Sequence, residues 1–146
     1  MEYFTITITT VLIATTLGFL FGSIWYSPFL FQNAWLMGEG ITKKEIPKRS
    51  KLYMIQINVY SFVAHFAIAG ILAFMFELLQ ISSLKVSVSL GVLLTLGFIV
   101  TTHYIDMIYT VHGVHWERKN QVKFIINSGY YLCVVAIMST ALFCLS

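Results

Sequence analysis

The 146 residues are 58% hydrophobic and 10% charged, with a mean hydropathy of +0.83, whereas about one quarter of an average soluble domain is charged. This composition excludes an ordinary soluble domain, and four spans of about 20 residues leave no room for a separate extramembrane module. The net charge of +3 comes from basic residues grouped beside apolar runs, a distribution that speaks for membrane orientation and against a nucleic-acid partner.

Hydropathy predicts four spans at 3–26, 53–79, 86–109 and 122–145, so the chain 1–146 reads as one all-α integral membrane domain, a four-transmembrane-helix bundle in the lipid bilayer. Met1-Glu2-Tyr3-Phe4 lacks the basic start of a signal peptide, so the first run is expected to remain as a span. The Thr5-Ile6-Thr7-Ile8-Thr9 alternation looks strand-like, but in lipid only helices and closed barrels satisfy their backbone, and four apolar runs of this length do not make a barrel. Helix one carries Ala14, Gly18 and Gly22 at intervals of four, a small-residue stripe that lets backbones approach closely. Helix four repeats the pattern in Gly129, Cys133, Ala136 and Thr140. Either stripe can serve the bundle or a subunit interface. Cys133 and Cys144 lie roughly 16 Å apart along one helix, too far for a disulfide between them.

Between helices one and two, residues 28–37 mix aromatic and polar side chains, including Trp35, and are expected to form a short interfacial helix. Gly38 and Gly40 end it, Thr42 and Glu45 have capping-box spacing, and Pro47 keeps any following helix short. Eight of the nine basic residues fall in the loops after helices one and three: Lys43, Lys44, Lys48, Arg49 and Lys51, then Arg118, Lys119 and Lys123. Only Lys85 lies on the other side. The positive-inside rule therefore predicts a multi-pass protein of the cell membrane with both basic loops in the cytoplasm and both termini outside.

Polar groups inside spans are costly and so mark functional candidates. At about 1.5 Å per residue from the basic boundary, Asp106 lies roughly 5 Å deep, Asn127 roughly 8 Å, His103 roughly 10 Å and His65 roughly 18 Å. Asn58, Ser61 and His65 share one face of helix two; Thr102, His103 and Asp106 form a patch on helix three; Lys123, Asn127 and Tyr130 share a side of helix four. Converged, these faces form a cytoplasm-facing pocket with Trp25, Tyr26 and Ser27 at its rim. Each also has a structural reading: Asp106 paired with Lys123 or Arg118, His65 as hydrogen-bonded packing, Asn127 as a bridge between helices. A metal ion would draw on His103, Asp106, His112 and His115, but no Cys or second carboxylate completes a shell. Haem between His65 and His103 fits poorly, because their depths differ by roughly 8 Å. No cofactor is assigned.

Gly22, Trp25-Tyr26-Ser27-Pro28, Leu30-Phe31, Trp35, Gly38 and Thr42, followed by Gly97-Phe98, Thr101-Thr102, Glu117-Arg118 and Phe124-x-Ile126-Asn127-x-Gly129-Tyr130, resemble a family of small membrane proteins catalogued as domain of unknown function 1761. The resemblance covers nearly the whole chain. It implies a four-span membrane protein and no established activity, and it draws attention to Trp25, Tyr26, Ser27, Pro28, Glu117, Arg118 and Asn127.

The leading expectation is a non-enzymatic module that binds or conducts a small solute or ion through the pocket, working as a homo-oligomer because four helices enclose little volume. Glu77 lies at the outer edge, so no mid-membrane carboxylate supports proton-coupled export of a cation. The alternatives are a structural or accessory subunit whose Gly18/Gly22 face binds a partner, and a metal- or lipid-dependent membrane enzyme.

Overall fold

Ser and Thr set the starts of the first three spans. In the computed structural model, which describes residues 6–109 and 117–146, the extended residues Thr7, Ser50 and Ser83 each accept a hydrogen bond from the amide three residues on, satisfying donors that a helix start leaves free. These caps open α1 (Ile8–Trp25), α3 (Lys51–Leu78) and α4 (Leu84–Leu94). The short α2 (Gln32–Glu39) follows α1. A π-turn (Thr95–Val100) continues α4 into α5 (Thr101–Ile108), and α6 (Arg118–Cys144) completes the set. Four stretches are long and apolar enough to cross a membrane: Ile8–Trp25, Lys51–Leu78, Leu84–Ile108 and Arg118–Cys144. No strand occurs among the described residues.

Turn chemistry fixes the connections. α2 ends at Gly40, whose φ of 71° is the left-handed conformation that glycine adopts without strain. Ile41 and Gly40 donate their amides back to Leu36 and Met37. α3 ends in the same double closure, Ile81 to Phe76 and Gln80 to Glu77, but with Gln80 in the positive-φ position at 48°. Burial of Ile81 and Phe76 supplies the hydrophobic contact of that motif and holds Gln80 there. The capping box at Thr42 and Glu45 forms around a single 3-10 turn, Lys43–Glu45. Thr42 donates its amide and its hydroxyl to the same Glu45 oxygen, at 2.6 and 2.8 Å, and these bonds hold the carboxyl below the usual glutamate range.

α6 is the hub of the bundle. Half of its apolar window is buried, against 28% for α1, 28% for α3 and 17% for the third span. α1 packs on α6 through Ala14, Gly18 and Gly22, where added Cβ atoms would meet Met138 and Val134, or the Tyr130 hydroxyl. The helix-one stripe thus faces α6 inside the bundle, the first of the two uses the sequence leaves open to it. The opposite holds for α6: Cys133 and Thr140 face outward, while its buried side is Ile126, Ser128, Tyr130, Val134, Val135, Met138, Ser139, Ala141 and Leu142. α4 meets that side with Ser87, Gly91 and Thr95, a small-residue stripe that hydropathy does not reveal. At the end away from the basic loops, Ile6 donates its amide to Glu77 at 2.9 Å, and the Thr10 hydroxyl donates to the Leu145 carbonyl at 3.2 Å.

α3 joins this core only over its second half, through Ala69, Leu72, Ala73 and Phe76. Its residues 51–60 are exposed on every face. That divergence leaves space at the basic end of the bundle.

Candidate functional site

The space is a cavity of about 580 Å³, within the range of about 300–1,000 Å³ typical of small-molecule sites. Tyr26 reaches it from the end of α1, Trp35 and Glu39 from α2, Ile46 from the following loop, Ile57 and Ser61 from α3, His103 from α5, and Asn127 and Tyr131 from α6. A second cavity, of about 280 Å³, lies behind α2 and shares Glu39, His103 and Asn127. α2 divides the two spaces because Gly38 rests on α6, where a Cβ would come within 3.0–3.2 Å of Lys123 and the Lys119 carbonyl. The interfacial helix is therefore a wall of the site.

The polar groups fall into three sets. Tyr26 donates its hydroxyl to Asn127 Oδ1 at 3.0 Å, which joins α1 to α6 and turns the Asn127 amide nitrogen into a free donor among the described residues. His103 Nδ1 lies 3.3 Å from the Ser128 hydroxyl, which orients the ring between the two cavities. Deeper in the bundle, His65 Nδ1 lies 2.6 Å from the Ser61 carbonyl and His65 Nε2 lies 2.5 Å from the Tyr130 hydroxyl. A carbonyl only accepts, so Nδ1 carries a proton, and Nε2 pairs with the Tyr130 hydroxyl. His65 and Tyr130 line neither cavity: they satisfy each other above its floor.

Several expected members of the pocket lie elsewhere. Asn58 is exposed and outside the cavity, because Ile57 and Ser61 turn inward and Asn58 sits about 100° round the helix from Ile57. Trp25 points away from the cavity into Phe31 and Phe21, with ring centroids 4.4 and 5.6 Å away, and packs over Gly129. Its indole nitrogen is buried with no hydrogen-bond partner among the described residues. Ser27 works through its carbonyl, which accepts the amides of Leu30 and Gln32 in the turn before α2. Pro28 is exposed in the same turn.

Charges also pair differently from the expected scheme. Lys123 binds Glu39 at 2.8 Å, not Asp106, and Glu117 binds Lys119 at 3.0 Å. Asp106 is exposed at the smaller cavity with no ion-pair partner among the described residues. No group of three His, Cys, Asp or Glu residues that could hold a metal occurs among the described residues, and His112 and His115 lie outside them. Sequence reasoning missed Glu39 and Tyr131. Glu39 carried a usable signal, as a carboxylate placed just before a helix-ending glycine beside the basic loop.

The family model described as Protein of unknown function (DUF1761) matches residues 9–143. The chain belongs to this family. No curated protein and no solved structure matches it. The residues that resemble DUF1761 motifs meet in space: Tyr26 stands 5.2 Å from Tyr130 and 6.0 Å from Trp35 between ring centroids, and it bonds Asn127. The Trp-Tyr-Ser-Pro block is thus the joint at which α1, α2 and α6 hold the cavity open from one side.

Proposed function

We propose that this DUF1761 protein binds a small solute or ion in the larger cavity and passes it across the cell membrane as a homo-oligomer. The observation that carries this reading is the cavity itself, into which the end of α1 and helices α3, α5 and α6 send hydrogen-bonding side chains: Tyr26, Ser61, His103, and Asn127 with Tyr131. One bundle of four spans offers no continuous path beside so well filled a core, hence the homo-oligomer. The charge bias of the loops supports a cytoplasmic position for the cavity mouth and outside positions for both termini. In a Cys133→Ser, Cys144→Ser background, a membrane-impermeant maleimide applied to intact cells is expected to label Ser82→Cys and to spare Lys44→Cys; the reverse pattern overturns this orientation.

A second reading, a structural or accessory subunit, draws on the His65, Tyr130 and Ser61 network, whose groups satisfy one another without a ligand. The deciding experiment is a structure of the purified protein in lipid nanodiscs. Density for a solute, ion or water chain touching His103 or Asn127 supports binding. A collapsed cavity, with Asn127 and His103 closed on protein partners, overturns it in favour of the structural role.

A further inference from the structure

The cavity has a side as well as a mouth. Residues 51–60 of α3 are exposed on every face, and across from them Tyr104, Ile105 and Ile108 of α5 are exposed too. Ile57 and Ser61 of α3 and His103 of α5 line the cavity, so the two helices that carry these exposed apolar faces are also two of its walls. A solute arriving from water has no use for such faces, whereas a molecule already in the leaflet meets them.

The charge at the same edge selects among such molecules. The loop 42–50 sends Ile46 into the cavity and carries the exposed Lys43, Lys44, Lys48 and Arg49 in the same segment, with Lys51 at the start of α3. None of these five cations has an ion-pair partner among the described residues. Arg49 lies over the Tyr53 ring, 4.6 Å from its centroid, and the loop's own carboxylate, Glu45, is occupied by Thr42. Inside, Glu39 is paired with Lys123, and the carboxylate of Asp106, with no ion-pair partner among the described residues, lines the smaller cavity instead. The inner wall offers donors: the Asn127 amide nitrogen and the Ser61 hydroxyl, both without a partner among the described residues. Phosphate-binding charge on the loop, donors for carbonyl oxygens one layer in, and an apolar face along α3 follow the order of groups in a glycerophospholipid.

We propose that the cavity takes up an anionic phospholipid from the surrounding leaflet, with its phosphate on the 42–50 loop, its ester groups at Asn127 and Ser61, and its chains leaving between α3 and α5. This rests on the reading of the cavity as a binding site and names the class of its ligand.

The test places the full chain in phosphatidylcholine nanodiscs that contain either phosphatidylglycerol or phosphatidylcholine brominated on the acyl chains near the ester. Trp35, a cavity residue, is the reporter, and its share of the fluorescence quenching is the part lost in Trp35→Phe. Brominated phosphatidylglycerol is expected to quench Trp35 at lower mole fraction than brominated phosphatidylcholine. The triple substitution Lys48→Gln, Arg49→Gln and Lys51→Gln is expected to reduce that preference by about fivefold per charge removed. Equal quenching by the two lipids overturns the anionic selection while leaving a lipid-accessible cavity. Absence of Trp35 quenching overturns the lipid occupant, and labelling of Ser61→Cys by a water-soluble maleimide then separates the cases. Reaction leaves the small-solute reading standing, and protection removes the cavity and both readings with it.

Discussion

Ser139 is fully buried on α6 beside Gly91, and its hydroxyl is one of two buried polar atoms without a hydrogen-bond partner among the described residues. Other hydroxyls in the spans turn back to a carbonyl of their own helix, as Thr15 does to Val11 at 2.7 Å and Thr95 to Gly91 at 2.9 Å. An unmade bond in the core costs about 1–3 kcal/mol. Ser139→Ala is therefore expected to raise the thermal unfolding midpoint in detergent, and a lower midpoint would reveal a partner for the hydroxyl. At this scale much of the site was legible in the sequence. Tyr26, His103 and Asn127 stand out because polar groups near apolar runs are expensive. Their pairings were not legible, because a one-dimensional reading places Lys123 one turn from Asn127 but cannot see Glu39 come back to it on α2.

The π-turn is the element that a regular helical period does not foresee. Thr95 and Met107, both buried against the rest of the bundle, are twelve positions apart, which puts them about 120° out of phase in an α-helix. The wide turn absorbs one residue and returns them to within about 20°, so that α4 and α5 bury one continuous face and His103 is aimed at the cavity. Thr101 and Thr102 support the turn by donating their hydroxyls to the carbonyls of Gly97 and Phe98. Thr102 and Asp106 of α5 are exposed, Asp106 at the smaller cavity that it shares with His103. Deleting Gly97 is expected to restore a plain α-helix with both flanking faces in place, and so to preserve folding and His103 accessibility. Deleting Val92 from regular α4 is expected to rotate the rest of the span by about 100° and abolish folded protein on size-exclusion chromatography. Loss of fold in both variants would refute this account of the turn.

For the whole molecule, the four-span architecture was legible because about 20 apolar residues have few other uses, and the described residues contain four helices long and apolar enough to cross a membrane, the expected start of the first run at residues 3–5 lying outside them. Which helix lies at the centre was not. α6 has an ordinary hydropathy of 1.6, lower than α3 and the third span at 2.0, yet it is the most buried, because its polar and small residues suit contact with protein rather than lipid. The exposed Cys133 and Thr140 on its outward side then remain available to the homo-oligomer proposed above, while Gly129 of the same stripe lies under Trp25. Oxidative cross-linking in native membranes is expected to join two copies through Cys133 in a Cys144→Ser background, and not through Cys144 in a Cys133→Ser background. Cross-links through Cys144 alone would assign the subunit contact to another face.

The hub helix is also the one made after the other three. Until α6 enters the bilayer, Tyr26 lacks Asn127, His65 lacks Tyr130, His103 lacks Ser128, and the small faces of α1 and α4 have nothing to pack against. A nascent chain with three spans inserted is thus a loose set of helices with unsatisfied polar groups in the membrane, dependent on its last segment for cohesion. A ribosome that stops before that segment leaves a product suited to membrane quality control rather than a smaller working protein.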